Sequence, residues 1–349
     1  MSFEKIYFTL IKHLLKSGIS LENGEGFEVR SLPLYSFSID LKRGFPILRF
    51  QDILFNDEVL IMLWNFQMMS NDVRELHKRG IHKLDEYMID SEGIYRGYKR
   101  TSNYNIYPRI DANGYMLIAR SLISDRNIES ALYCGGDYSY TTGYSLGKYI
   151  RDNNLSSLME EEIKDSNYGF INLSQNNFNN VSTYNNGITN CSWYKVDNKL
   201  NFNISLENIN LLTELPNLVV QYSILLMIMA SISKSDVGNI NFSINNLYVK
   251  NDELNDASKL LDKWNLYQRM TRFSKEELNN LKRFILDWKD KFNISSRMYD
   301  EFRFIDMILN PTTPEAWINP EIDSIFGFDN SAYLRDIKIK GYRSPVNFR

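Results

Sequence analysis

An unbroken apolar segment, Leu218 to Ile232, most limits what this chain can fold into. Its 15 residues, LVVQYSILLMIMASI, include no charged side chain. Because the segment is apolar on nearly every side, it predicts a helix buried in a core. Pro216 stands just before it, where a first helical turn tolerates proline because the missing N–H would have no intrahelical partner. A bilayer requires about 20 apolar residues, so we expect no membrane partner.

One of the two cysteines, Cys191, lies upstream of this segment and just before a strand-like run from Lys199 to Leu206. A cysteine at a strand end that faces a buried helix is placed where a thiol can act as a nucleophile. A buried cysteine is also a common small hydrophobic residue. From the residues alone both interpretations stay open. Two cysteines are too few for a disulfide framework. We therefore expect a reducing compartment, the cytoplasm.

Composition excludes several classes of protein. Hydrophobic residues make up 43% of the 349 residues and aromatic residues 13%, which is enough for a sizeable core and argues against disorder. The net charge is -3, and without a basic excess no nucleic-acid partner is expected. The three histidines show no spacing typical of metal ligands, so no metal is expected.

Hydrophobic periodicity divides the chain into helices and strands without a linker or an internal repeat. The pattern therefore predicts a single α+β domain. It predicts an irregular, proline-rich stretch at residues 310–320. The predicted helices cover residues 4–16, 59–69, 72–79, 218–232 and 274–292. The predicted strands cover residues 27–41, 47–50, 199–206, 239–249 and 336–340.

Short motifs follow one another in a fixed order along the chain. They are Ser38–Leu41 with Gly44–Leu48, Leu63-Trp64, Leu84–Tyr87, Tyr95–Arg100, Asn190-Cys191 with Lys199–Phe202, Leu212–Tyr222, Val237-Gly238 with Leu247-Tyr248, and Ile337–Tyr342. In this order they resemble the thymidylate synthase family. The resemblance implies one thymidylate synthase-like domain over residues 1–349, with a mixed sheet packed by helices. Residues 1–30 would be an N-terminal helical extension and residues 101–165 a divergent insertion. It also implies a homodimer formed through the back of the sheet.

The resemblance implies a specific chemistry as well. Cys191 would attack a pyrimidine ring as a thiolate, and the ring would then take a one-carbon unit at C5 from a reduced folate, methylenetetrahydrofolate. Tyr95 would handle a proton, and Tyr248 would bind the ribose hydroxyl. The folate site would include Trp64, Asp85 and Tyr342.

Several positions depart from the family pattern. The resemblance places Glu207 where the family has a phosphate-binding arginine, with Asn210 beyond it. Leu218 falls at the asparagine that reads the pyrimidine edge, and Ile61 falls at a glutamate. Charge-assisted contacts contribute roughly 1.5–3 kcal/mol each, and Glu207 would repel a phosphate. We therefore expect that dUMP is not the substrate.

Two hypotheses follow. The chain could be a cysteine-nucleophile C5 methyl- or hydroxymethyltransferase that acts on a nucleoside-like, pyrimidine-type substrate other than dUMP. Alternatively, it could be a catalytically inactive homologue that uses the fold as a binding or interaction module. The space beside Cys191 discriminates between them, because a pocket filled by Trp193 or Leu218 would exclude catalysis.

Overall fold

The computed structural model describes residues 2–22, 28–70, 72–84, 109–110, 116–117, 146–174, 187–289, 296–329 and 332–342. Its helices are α1 (Phe3–Ser17), α2 (Phe55–Phe66), α3 (Arg74–His77), α4 (Leu146–Asp152), α5 (Leu155–Asp165), α6 (Leu215–Ile232), α7 (Leu254–Met270), α8 (Lys275–Lys289), α9 (Ser296–Leu309) and α10 (Tyr333–Asp336). Its strands are β1 (Ile19–Glu22), β2 (Glu28–Asp40), β3 (Arg109–Ile110), β4 (Met116–Leu117), β5 (Tyr168–Asn172), β6 (Ile188–Val196), β7 (Lys199–Asn210), β8 (Asp236–Lys250), β9 (Glu315–Ile318) and β10 (Ile337–Lys340).

A six-stranded mixed sheet organises the molecule, in the order β1-β2-β8-β7-β6-β5. Strands β7 and β8 run parallel, and every other neighbouring pair in this sheet is antiparallel. Apolar and polar residues alternate along the central strands, so one face of the sheet is buried and the other is polar. The mixed sheet and its packed helices confirm the predicted α+β class.

The buried face of the sheet packs against the apolar segment identified in the sequence. That segment forms most of α6, which contacts β7, β8 and α2. By length and composition α6 could cross a membrane, but 83% of its residues lie inside the protein. Such burial is typical of the core helix of a globular protein, because an apolar helix without an amphipathic face is stable only when surrounded by other apolar groups.

The first helix completes the other side of the core. Helix α1 packs against α7 and β2, and Phe8 stacks on Trp264 of α7 with ring centroids 4.6 Å apart. Glu4 is buried in the first turn of α1, where it accepts three hydrogen bonds from Arg49. The stacked aromatic pair and the bidentate ion pair together fix α1 on the domain.

The structure corrects some of the predicted elements. Residues 47–50 do not continue a strand, and the stretch predicted as irregular contains the strand β9, which pairs with β10. Helix α3 is shorter than the predicted helix at 72–79. Helices α7 and α9 lie in regions for which periodicity predicted nothing. The capping box at Ser274 is confirmed, since its backbone N–H and hydroxyl both donate to Glu277.

Candidate functional site

The predicted nucleophile lies inside the sheet. Cys191 is at the middle of β6, between Ile171 of β5 and Ile204 of β7. Its exposed fraction is 0%, and burial raises the pKa of its thiol above the ordinary value. A thiolate is the reactive form of cysteine, and an apolar environment disfavours it. In this conformation Cys191 is a neutral thiol with no access for a substrate.

Glu207 lies opposite Gly187, the residue that precedes β6. Its backbone N–H donates to the carbonyl of Gly187 at 2.7 Å, whereas Cys191 pairs with Ile204, three residues earlier on β7. At about 3.3 Å per residue, the two predicted site residues are separated by roughly 10 Å along the strands. Gly187 has φ +69°, and a Cβ there would lie 2.3 Å from Cδ1 of Ile209. A side-chain nucleophile therefore does not fit opposite Glu207 without displacing Ile209.

Two predicted substrate-binding residues, Asn210 and Tyr248, are neighbours across β7 and β8. The side chain of Asn210 is committed to the protein itself. Its Nδ2 donates to Glu253 at 2.7 Å, and its Oδ1 accepts from the backbone N–H of Leu212 at 2.8 Å. Leu218 follows in the first turn of α6 and is 3% exposed. These contacts shape the turn between β7 and α6, so the described geometry gives them a structural role.

The residues predicted to hold folate are also engaged internally. Trp64 is fully buried, and its Nε1 donates to the carbonyl of Asp72 at 3.1 Å. The hydroxyl of Tyr342 donates to the carbonyl of Ile53 at 2.7 Å. Asp85 and Tyr95 lie outside the described residues. Trp64 therefore offers no face to a pterin ring in this conformation, whereas Tyr342 is only partly buried.

A polar centre that the sequence analysis missed lies between α2 and α6. The carboxylate of Glu58 is completely buried. Its Oε2 accepts a hydrogen bond from Nε2 of Gln221 at 2.7 Å, and its Oε1 accepts from Nζ of Lys83. We call Glu58, Gln221 and Lys83 the Glu58 centre. The available sequence signal was a glutamate at the border of one apolar helix and a glutamine inside another.

The Glu58 centre lies one helical turn from Ile61 and Leu218, the two positions at which the resemblance places a glutamate and an asparagine. Glu58 precedes Ile61 by three residues on α2, and Gln221 follows Leu218 by three residues on α6. Residues three apart on a helix share a face. The two apolar positions and the polar pair therefore lie along the same faces of α2 and α6, which contact each other.

Further titratable groups surround the Glu58 centre. Burial raises the pKa of Asp57, and Lys83 partly opposes this shift. Burial also raises the pKa of the Tyr333 phenol, with a smaller contribution from the Asp57 charge and an opposing one from Arg79. Shifted ionisable groups that cluster around a buried carboxylate are typical of functional sites, although structural ion pairs produce them too.

Other parts of the described structure offer less. A cavity of about 310 Å³ lies between the start of α1, the segment from Asp40 to Arg49 and residues 312–314. None of the predicted site residues lines it. Within the described ranges, no group of three His, Cys, Asp or Glu side chains is placed to hold a metal ion.

Comparisons with known proteins agree with this fold. The family model described as thymidylate synthase matches residues 5–311. Thymidylate synthase of Bacillus mojavensis is 31% identical over 132 residues, which cover 33% of this chain and 46% of that protein. Thymidylate synthase of Bacillus phage phi3T is 31% identical over 108 residues, covering 28% of this chain and 38% of that protein. The matched parts thus span less than half of these relatives.

A solved structure extends the likeness to the whole chain. Thermostable thymidylate synthase A from Bacillus subtilis superposes with a TM-score of 0.59 over 99% of this chain and 97% of that one. Sequence identity across that superposition is 15%, so it speaks for the fold alone. With the family model matching most of its length and the mixed sheet in place, this chain belongs to the thymidylate synthase family.

Proposed function

We propose that this chain is a non-catalytic member of the thymidylate synthase family, which uses the fold as a binding and interaction module. The observation that carries the proposal is the placement of Cys191, which is 0% exposed on β6, between β5 and β7. Trp193 is buried on the same strand and Leu218 at the start of α6. A substrate cannot reach the sulfur unless the groups packed over this face of the sheet move.

The negative charge of Glu207 supports the same proposal. The Glu207 carboxylate makes no hydrogen bond or ion pair with any described side chain. A phosphate placed beside it would be repelled. The resemblance put a phosphate-binding arginine at this position, and the reversal of charge opposes binding of a nucleoside monophosphate.

Mass spectrometry of the intact protein tests the proposal. The protein is incubated with methylenetetrahydrofolate and a panel of pyrimidine nucleosides, bases and dUMP, and the wild type is compared with Cys191→Ser. We expect no adduct on either protein. An adduct on the wild type that is absent from Cys191→Ser would refute the non-catalytic role and identify the substrate.

A second candidate function has its own support, because the family model covers most of the chain and the relatives named above are thymidylate synthases. In this candidate the chain is a C5 methyl- or hydroxymethyltransferase with Cys191 as nucleophile, Tyr95 as proton carrier and a substrate other than dUMP. The family uses methylenetetrahydrofolate, which would supply the one-carbon unit. The experiment above decides between the two functions.

We further propose that two copies pair through the polar face of the sheet, which we call the outer face. Asparagine and serine side chains bridge its central strands, with Asn241 donating to Asn203 at 2.7 Å and Asn246 donating to Asn208 at 3.1 Å. At its edge Tyr168 is 80% exposed and Phe170 is 69% exposed. Exposed aromatic residues beside a satisfied polar surface are common at protein interfaces.

Light scattering coupled to size-exclusion chromatography tests the pairing. Ser243→Arg places a charge at the centre of the outer face, where the serine is exposed. Asn279→Arg places the same charge on an exposed position of α8 and serves as the control. We expect a dimer for the wild type and the control and a monomer for Ser243→Arg. A dimer that survives Ser243→Arg would place the interface elsewhere.

A further inference from the structure

The Glu58 carboxylate is an unusual feature of this core. It lies in the first turn of α2, whose following residues from Val59 to Phe66 are all buried. Isolated carboxylates are excluded from such surroundings because desolvation costs several kcal/mol. An apolar pair of similar volume would stabilise the fold at least as well as the ion pair with Lys83. Stability alone therefore does not account for Glu58.

The two partners of Glu58 differ in how firmly they are held. Gln221 lies on α6 and is 5% exposed, so its amide is fixed by the surrounding core. Lys83 belongs to the stretch after α3, and its side chain is 33% exposed. Because a lysine side chain has four rotatable bonds and a solvated head, Lys83 can leave the carboxylate far more easily than Gln221 can.

The carboxylate has capacity for a further partner. Two carboxylate oxygens accept about four hydrogen bonds, and the structure uses one on each oxygen. An ammonium group binds a carboxylate as a point charge, whereas a planar amidinium or guanidinium donates two parallel hydrogen bonds. A planar cation would therefore bind Glu58 better than Lys83 does.

The residues next to the Glu58 centre on these two helices are apolar. Ile61 and Leu218 lie one turn from Glu58 and Gln221 along the same helix faces. Both side chains are buried, so the groups that a ligand would meet on these helix faces are apolar. An aromatic ring that carries an amidinium group satisfies both features.

We propose that Glu58, positioned by Gln221, is the recognition point for a ligand with a planar cationic group of the amidinium or guanidinium class. Lys83 occupies this point when no ligand is bound and leaves when the ligand enters. This inference rests on the proposed binding role and names the class of ligand that the module would take. It assigns no role to Cys191.

Binding of benzamidine, measured by calorimetry, tests the proposal, with neutral benzamide as the matched probe. We expect the wild type to bind benzamidine more tightly than benzamide. Lys83→Met removes the internal competitor, and if Lys83 occupies the carboxylate more than nine-tenths of the time, affinity for benzamidine rises about 10-fold or more. Glu58→Gln keeps the shape, removes the charge and should abolish the preference for benzamidine.

Lys164→Met is the matched control, because it removes another lysine paired with a glutamate, Glu160. It should leave the affinity for benzamidine unchanged. Equal binding of the two probes by the wild type and Lys83→Met would overturn the proposal, as would a preference that survives in Glu58→Gln. If circular dichroism shows that Lys83→Met is unfolded, Lys83→Arg replaces it. Arginine is a stronger internal competitor and should weaken benzamidine binding, so unchanged affinity would overturn the proposal.

The two proposals fail separately. A covalent adduct at Cys191 would refute the non-catalytic role while leaving benzamidine binding at Glu58 to be judged on its own result. Conversely, absence of any Glu58-dependent binding would remove this inference and leave the inert thiol unaffected.

Discussion

Cys191 and Glu58 are both fully buried, yet they differ in what surrounds them. The thiol of Cys191 lies between isoleucines of the neighbouring strands, and burial raises its pKa. The carboxylate of Glu58 is held by an amide and an ammonium group. A buried thiol can remain neutral at little cost, whereas a buried carboxylate needs partners. A potentially reactive atom does not by itself identify a functional site. Polar partners around a buried group, as at Glu58, indicate where the fold stabilises a charge.

The largest expected effect is the removal of the cation from the Glu58 centre. Lys83→Met leaves a buried carboxylate without its positive partner, so we expect a loss of about 3 kcal/mol in the free energy of unfolding. Urea denaturation measures it. Lys164→Met, at a more exposed lysine, should cost less than about 1 kcal/mol. Equal losses in the two variants would mean that the Glu58 centre resembles a surface ion pair.

The second prediction concerns the polarity of the site around Cys191. Cys191→Ser places a hydroxyl among apolar side chains and should destabilise the protein by about 2 kcal/mol. Cys191→Ala leaves a small void without a polar group and should cost about 1 kcal/mol. Denaturation of both variants gives the difference. If serine were tolerated better than alanine, Cys191 would have a polar partner, and the comparison with Glu58 would fail.

The third prediction follows from the raised pKa of the Cys191 thiol. The unfolded thiol loses its proton above about pH 8.5, whereas the folded one keeps it. The unfolded state then binds fewer protons, so stability falls as pH rises. Between pH 8.5 and 9.5 the slope for one thiol approaches about 1.4 kcal/mol per pH unit. The measurement is the free energy of unfolding of the wild type minus that of Cys191→Ala across this range. A difference that does not change with pH would mean that Cys191 ionises in the folded state.

The sequence predicted much of this architecture but not the place of Cys191. The apolar segment became the central helix because nothing but a core can accommodate it, and the ordered motifs identified the mixed sheet. The resemblance placed Cys191 at the nucleophile through the motif Asn190-Cys191 followed by Lys199–Phe202. Its burial depends on the strand register, which that motif does not give. Asp197 and Asn198 form a two-residue turn with φ +51° and +59°, and this hairpin pairs Cys191 with Ile204.

The Glu58 centre could not have been derived from local patterns. Along the chain, Glu58 is 25 residues from Lys83 and 163 residues from Gln221. The packing of α2 on α6 brings Glu58 and Gln221 together, and the stretch after α3 brings Lys83 to them. A single glutamate at a helix start is ordinarily a favourable first-turn residue exposed to water, so its sequence context gave no sign of burial.

The smallest expected effect is that of a substitution at Glu207. It tests whether nucleotide binding was lost through this one charge or through several residues of the site. Glu207→Arg restores the residue type that the resemblance places there. Glu207 is half-buried, and its carboxylate contacts no described partner, so the change should alter stability by less than about 0.5 kcal/mol. We expect no gain of dUMP binding by calorimetry, because the residue opposite is Gly187 and the only thiol on β6 is buried. If Glu207→Arg bound dUMP, the nucleotide site would have been lost through that one charge, and Cys191 would have to be reconsidered as a thiol that becomes exposed when substrate binds.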